Sequence, residues 1–173
     1  MKKLKFYNQL FENTNNDISN FDLDWILNKH IYSSKSDTYF EIIKLLIALG
    51  AKAEKKSILG SFSVIHNSKD YIKQLDIFSD QIDINDTHYI NGLHPNVTLL
   101  AMEVIKRDKS MIIIKELLKR GADISFKTWD YASKKNIPLY DFLNDDEIKQ
   151  IDKSIPGFED KIIKMKKTND FNL

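Results

Sequence analysis

The chain's four histidines are the side chains best suited to bind a metal ion or to transfer a proton at neutral pH. They are His30, His66, His88 and His94. His88 and His94 are six residues apart, whereas two ligands on one helix face lie three or four residues apart. A metal site in a loop would need Asp83 and Asp86 as ligands in addition to these two histidines. We favour the alternative that these two histidines and two aspartates are ordinary solvated side chains.

Three aspartates recur at every third residue, at Asp80, Asp83 and Asp86. A calcium-binding loop spaces its acidic residues differently and needs a glycine that this stretch lacks. The sequence also contains no glycine-rich phosphate loop ending in Lys-Ser/Thr, no G-x-S-x-G nucleophile elbow and no H-E-x-x-H zinc motif. We therefore expect no enzyme activity, no cofactor and no bound metal.

The composition of the 173-residue chain excludes further classes of function. It has no cysteine, which rules out disulfides, thiolate zinc sites, iron–sulfur clusters and cysteine nucleophiles. Lys and Arg total 26 against 25 Asp and Glu, a balance that argues against a general nucleic-acid binder. No run approaches the roughly 18 to 20 apolar residues of a membrane span, and polar residues follow Lys5 where a signal peptide would be apolar. We expect a cytoplasmic protein, and the Lys-, Ile- and Asn-rich composition is typical of a low-GC bacterial genome.

Acidic charge is concentrated in the middle of the chain. The window 74–105 contains no Lys or Arg and carries a net charge of −5, which leaves the remainder at +6. The acidic residues of this window are Asp76, Asp80, Asp83, Asp86 and Glu103, and His88 and Tyr89 lie among them. Because an acidic surface attracts an oppositely charged partner, the window predicts a binding site for a basic protein. The alternative is that these aspartates cap helices and turns.

Two aromatic residues are predicted to contribute to partner binding. Trp129 and Tyr131 follow a glycine-terminated helix by a few residues, where we expect a projecting loop to rejoin a helix. Aromatic side chains of this kind are common in the energetic centres of interfaces.

Trp25 is instead predicted to lie in the core. The lysines near both chain ends are predicted to belong to polar capping segments, with a membrane-surface or nucleic-acid role as the alternative.

Two segments with clear helical periodicity each end at a glycine. Apolar residues in these segments form one broad stripe, which predicts amphipathic helices. The segments are residues 39–49, followed by Gly50, and residues 111–120, followed by Gly121. Shorter helical segments precede them at residues 23–29 and 98–105. Each pair therefore predicts a helical hairpin whose second helix ends in a left-handed glycine.

The two hairpins are related by a sequence repeat. Gly50-Ala51-Lys52-Ala53-Glu54 aligns with Gly121-Ala122-Asp123-Ile124-Ser125, and the offset corresponds to two units slightly longer than the roughly 33 residues of common helical-hairpin repeats. Gln81–Asn85 takes the place of a middle copy, preceded by a helix over residues 71–78. The chain is thus predicted to be a single domain, 1–173, with units at 20–54, 55–87, 96–125 and 126–155 and a C-terminal cap at 156–173. The fourth unit is predicted to begin with a helix over residues 129–135 and to end with one over residues 145–153.

The stretches EIIKLLIALGA (residues 41–51) and IIIKELLKRGAD (residues 112–123) resemble the second helix and glycine cap of ankyrin repeats. The family's first-helix signature, Thr-Pro-Leu-His-x-Ala, survives only as Thr98-Leu99-Leu100-Ala101. The resemblance implies an all-α helical solenoid of about four helix-turn-helix repeats with capping segments, whose concave face and loop tips bind other proteins. The alternative is an unrelated helical bundle.

The resemblance and the charge pattern together imply a non-enzymatic protein-binding module that occludes one protein partner. The predicted partner-binding residues are Asp76, Asp80, Asp83, Asp86, His88, Tyr89, Trp129 and Tyr131. The most specific hypothesis is an immunity or inhibitor protein, because an acidic surface could replace nucleic acid on a basic toxin or nuclease. The alternative is an ankyrin-type scaffold or a host-targeting effector. We expect a monomer that binds neither membranes nor nucleic acid directly.

Overall fold

The computed structural model describes residues 22–32, 36–87 and 97–170, and helices make up most of the regular structure there. The eight α-helices of these residues are α1 (Leu23–His30), α2 (Asp37–Ala48), α3 (Lys55–Ser61), α4 (Ser68–Phe78), α5 (Leu99–Val104), α6 (Met111–Lys119), α7 (Asp145–Asp152) and α8 (Phe158–Asp170). Short 3-10 turns occupy Phe62–Val64 and Leu139–Phe142. Strands β1 (Lys127–Asp130) and β2 (Lys135–Pro138) form a two-stranded sheet. The predicted helical fold class is therefore confirmed, with a small sheet added to it.

Polar side chains fix where the helices begin. In six of them the residue before the helix accepts a hydrogen bond from the backbone N–H three residues later, which satisfies a donor that has no partner within the helix. These capping residues are Asp22, Ser36, Asn67, Thr98, Ser110 and Asn144. At α7 the cap is reciprocal, because the Glu147 side chain also accepts from the backbone N–H of Asn144.

The glycines predicted to end α2 and α6 adopt the left-handed conformation, with φ of 94° at Gly50 and 89° at Gly121. At the end of α6 the N–H of Ala122 donates to the carbonyl of Leu117 at 3.0 Å, and that of Gly121 donates to Leu118 at 3.1 Å. This is the Schellman pattern, and α2 ends with the same pair of hydrogen bonds, one of them from Ala51 to Leu46. The sequence-based assignment of both glycine caps is confirmed.

The second helices of the predicted hairpins pack against one another in a row. Helix α2 contacts α4, α4 contacts α6, and α6 contacts α7. Outside this row, α1 packs on α2, α5 on α6 and α8 on α7. The core between the elements is apolar and includes the fully buried side chains of Leu27, Ile43, Phe78, Ile114 and Leu117. Trp25, predicted to be buried, is 58% exposed because it lies on the outer face of α1.

A β-hairpin replaces the helix predicted over residues 129–135. Strand β1 pairs with β2 in antiparallel register, with Trp129 opposite Asn136 and Asp130 opposite Lys135. The Asp130 side chain accepts from the backbone N–H of Ser133 at 2.8 Å, and Lys134 adopts a φ of 54°. An aspartate turn of this kind competes directly with helix formation, and a seven-residue helix has little cooperative stability of its own. The fourth predicted unit therefore keeps only its later helix, α7.

Buried polar groups join the first helical elements. The Tyr39 hydroxyl lies 3.1 Å from the carbonyl oxygen of Ile31 and 3.2 Å from Oε1 of Gln74. The Gln74 amide donates in turn to the Ser61 hydroxyl, which donates to the carbonyl of Ile58 at 2.6 Å. Both Gln74 and Ser61 are fully buried, so the network fixes α4 against its neighbours at a definite position.

Of the helices in the described residues, none is long and apolar enough to cross a membrane.

Candidate functional site

The first predicted binding residue, Asp76, is part of an ion pair between two helices. It lies on α4, and its Oδ1 is 2.6 Å from Nη2 of Arg120, which follows α6. Arg120 also binds Glu116 at 2.9 Å. A charge neutralised in this way contributes little long-range attraction, so Asp76 is mainly a link between neighbouring helices.

Asp83 and Asp86 shape the turn that follows α4. The backbone N–H of Asp83 donates to Oδ2 of Asp86 at 2.7 Å, and the N–H of Asn85 donates to Oδ1 of Asp83 at 2.8 Å. Asp86 also lies 2.6 Å from Nζ of Lys55, and its side chain is only 17% exposed. The contacts of Asp83 and Asp86 are therefore those of turn-stabilising residues, which is the alternative given for them above.

Asp80 differs from the other aspartates of the window. It is exposed just beyond the end of α4 and forms no ion pair with a described residue. His88 and Tyr89 lie outside the described residues. The acidic window therefore contains three exposed carboxylates among the described residues, of which Asp80 and Asp83, at the turn edge after α4, form no ion pair with a described residue.

Trp129 and Tyr131 come together at a groove that is separate from these aspartates. The groove has a volume of about 600 Å³ and lies between α5, the 3-10 turn at Phe62 and the β-hairpin. Its apolar lining consists of Phe62, Val97, Met102, Ile105, Ala132 and Phe142 as well as the two aromatic residues. Tyr131 is 62% exposed on the hairpin. This groove combines apolar area with one exposed aromatic side chain, that of Tyr131, and a half-buried one, that of Trp129.

The charged side chain of Glu103 lines the same groove. Glu103 belongs to α5 and is 2% exposed, and no other charged residue among those described is buried. Its Oε1 accepts a hydrogen bond from Nζ of Lys106, whose side chain is 40% exposed. From the sequence, Glu103 was predicted to belong to an acidic surface. Its isolation in the otherwise apolar run Leu99–Val104 is the signal that could have placed it in the interior.

Tyr71 packs against the groove residue Phe62 from the interior, and its hydroxyl has no partner in the described part of the chain. Tyr71 is fully buried, and its ring packs against Phe62 with the centroids 4.7 Å apart. Burial raises the pKa of Tyr71 well above its usual value, and the charge of Glu103 raises it further. The region around Glu103 therefore combines low polarity with an unsatisfied polar group.

Two of the buried tyrosines, Tyr71 and Tyr39, should respond in opposite directions to loss of the hydroxyl. Tyr71→Phe should raise the free energy of unfolding by about 1 kcal/mol, because it removes a buried hydroxyl that has no partner. Tyr39→Phe should lower it by about 1 kcal/mol, because Gln74 loses a hydrogen-bond partner. Urea unfolding at pH 7 measures both changes.

Alkaline pH provides a second test of the same burial. A buried tyrosine whose pKa is raised keeps its proton in the folded state after the unfolded state has lost it. Relative to neutral pH, the free energy of unfolding is therefore unchanged below the unfolded pKa of about 10 and falls as pH rises above that value. Burial raises the pKa of both Tyr39 and Tyr71. The fall in stability above pH 10 should be shallower in Tyr71→Phe than in the unmodified chain, and an unchanged slope would show that the Tyr71 hydroxyl reaches water.

A second carboxylate, Asp130, also lines the groove. Hydrogen bonds from the side chain and backbone of Ser133 hold the pKa of Asp130 below its usual value. The charged groups lining the groove are therefore Glu103, Asp130 and Lys106, with a formal sum of −1. The groove offers a cation two carboxylates beside aromatic rings, with one internal lysine as competitor.

Another cavity, of about 720 Å³, separates the hairpin from α8. Lys127, Lys161 and Lys164 line it together with Asp160. Helix α8 buries Phe158 and Ile162 while these lysines face solvent. This arrangement is the one expected of a segment that covers the end of a helix row with a polar outer face.

Within the described residues, no three His, Asp or Glu side chains converge as metal ligands would. Comparison of the chain with protein-family models, with curated proteins and with solved structures gave no match.

Proposed function

We propose that this chain is a non-enzymatic protein-binding module built from about four ankyrin-like units, which acts by covering one protein partner. The equivalent glycine caps of α2 and α6, two units apart along the chain, support the repeat. So does the row in which α2, α4, α6 and α7 pack in succession. In the fourth unit the β-hairpin takes the place of a first helix.

Two equivalent turns give further support to stacked units. Asp83 and Asp123 each accept a hydrogen bond from the backbone N–H two residues later, at Asn85 and Ser125. The Asn85 side chain joins the turns, because its Oδ1 accepts from the N–H of Asp123 at 2.7 Å and its Nδ2 donates to the carbonyl of Gly121 at 3.2 Å. Side-chain bridges between successive turns are what a stack of similar units requires.

The observation that carries the binding function is the groove beside the projecting hairpin. The groove has a volume of about 600 Å³, its lining is largely apolar, and the exposed Tyr131 lies on its rim. Exposed aromatic residues at the edge of a desolvated pocket are typical of the residues that dominate binding energy. The partner would seat on the hairpin and α5, and steric occlusion would be the consequence.

The most specific form of this proposal is an immunity or inhibitor protein that neutralises a basic toxin. The carboxylates of the groove would face the basic surface with which such a toxin binds nucleic acid. An ankyrin-type scaffold or a host-targeting effector would use the same groove on a different partner. Partner identity separates these hypotheses.

Affinity capture from the native cell lysate, at low and high salt and followed by mass spectrometry, tests the proposal. Tyr131→Ser should reduce capture of one stoichiometric partner about tenfold or more. Ile112→Ser is the matched control, since Ile112 is also 62% exposed but lies on α6, away from the groove. A basic partner lost as salt rises would favour the inhibitor, and one retained in high salt would favour the scaffold or effector.

Two outcomes would contradict the groove as the binding site. One is equal capture by Tyr131→Ser and Ile112→Ser. The other is loss of the partner only in Asp80→Lys, which would move the site to the turn edge. Many weakly captured proteins and no stoichiometric one would contradict the binding function itself.

A further inference from the structure

The groove contains a buried negative charge, Glu103, and its one counter-ion among the described residues is the flexible side chain of Lys106, just beyond the end of the same helix. We propose that an extended segment of the protein partner places an arginine or lysine side chain in this groove, where its cation replaces Lys106 on Glu103. This inference rests on the proposed protein-binding function and names the feature of the partner that the groove recognises.

Glu103 is a buried carboxylate on the wall of the groove. A carboxylate that is 2% exposed is costly unless a cation or several hydrogen bonds accompany it. Lys106 supplies the cation from three residues along the chain. Because its own side chain is 40% exposed, Lys106 can turn into water on its flexible stem when another cation arrives.

The walls of the groove match the rest of a basic side chain. Met102 and Ile105 offer apolar surface for an aliphatic stem, and Trp129 and Tyr131 offer rings for the cationic head. Cations bind favourably over such rings, and arginine does so more often than lysine. Asp130 provides a second carboxylate. These features fit a cation better than an anion or a purely apolar side chain, and arginine best because its planar group can both stack and pair.

The size of the groove is also appropriate. Its volume of about 600 Å³ falls within the range of sites that enclose ligands of several residues' bulk. An extended segment with apolar residues on both sides of one basic residue would fill it.

A pair of short peptides tests the proposal. The first probe is acetyl-Ala-Leu-Arg-Leu-Ala-amide, and the second replaces its arginine with citrulline, which has the same shape and no charge. NMR titration would follow the indole N–H of Trp129 in a Trp25→Phe background, since the chain has two tryptophans. The arginine peptide should bind about tenfold more tightly than the citrulline peptide, which is the effect of one charge-assisted hydrogen bond.

Variants identify the group that reads the charge. In Glu103→Gln the ratio of the two affinities should fall toward one. In Lys106→Met it should rise by about threefold or more, because the internal competitor has gone. Asp80→Asn is the control, because Asp80 is exposed and is not among the residues that line the groove. Its ratio should change by less than about threefold, since an exposed charge contributes little.

The same titrations can overturn the proposal. Equal affinities of the two peptides for the unmodified chain would do so, as would an unchanged ratio in Glu103→Gln or peptide shifts that leave the Trp129 indole unmoved. Sedimentation that depends on concentration in the unmodified chain and no longer does so in Tyr131→Ser would assign the groove to a second copy instead. If Lys106→Met fails to fold, the ratios in the unmodified chain and in Glu103→Gln still decide.

Failure here is distinguishable from failure of the proposed function. Loss of lysate capture in Tyr131→Ser together with equal peptide affinities would leave a protein-binding groove that does not read a cation. Specific arginine binding without any captured partner would support the cation site and contradict the wider function.

Discussion

The Gly121→Val substitution should lower the free energy of unfolding by about 2 kcal/mol, because it places a β-branched residue where φ is 89°. A Cβ atom at this position would meet no atom within 4 Å. The expected loss therefore comes from the backbone conformation and not from a steric clash. For a chain of this length it corresponds to a fall in Tm of about 5 °C.

Gly121→Asn is the matched variant, since asparagine tolerates the left-handed conformation better than any β-branched residue. It should lose less than half as much stability as Gly121→Val. Gly50→Val should reproduce the loss at the equivalent cap of α2, where φ is 94°. Thermal and urea unfolding would measure all three, and equal stability of the valine and asparagine variants would contradict a conformational origin.

The elements that could be predicted from sequence are those whose signal is local. Helical periodicity together with a following glycine located α2 and α6 to within two residues at each end, because both the apolar stripe and the cap lie within one segment. The β-hairpin at residues 127–138 was not predicted. Its decisive interaction is the Asp130 turn, which competes with helix formation over only a few residues and leaves no periodic pattern.

The candidate site could be predicted only in part, for a related reason. Trp129 and Tyr131 were singled out by residue type and by their position after a helix end. The ion pair of Asp76 with Arg120 joins residues 44 positions apart, and that of Asp86 with Lys55 likewise joins residues distant in sequence. Charge counted along the sequence contains no information on such pairs, so the sequence could not show which carboxylates of the predicted acidic patch are neutralised by a distant cation. Glu103 was placed on that surface although its neighbours in α5 are all apolar.

Lys106→Met should have the largest effect of the surface substitutions, a loss of about 3 kcal/mol in the free energy of unfolding. The substitution removes the cation from Glu103, which is 2% exposed and cannot be well solvated in its place. Methionine preserves most of the aliphatic stem, so little packing is lost. The expected loss is at the low end of the range of free energies lost when one partner of a buried ion pair is removed, because Lys106 is itself 40% exposed.

A double-mutant cycle separates the charge from the packing. Glu103→Gln combined with Lys106→Met removes both charges and keeps the shape of both side chains, so it should recover about 2 kcal/mol of the loss. Urea unfolding of the four proteins supplies the coupling free energy. A Lys106→Met protein as stable as the unmodified chain would show that water reaches Glu103, and the groove would then gain nothing by exchanging Lys106 for a partner's cation. A large coupling free energy would mean that the unpaired carboxylate is costly, and the arginine peptide should then restore stability to Lys106→Met, because binding to the folded state alone stabilises it.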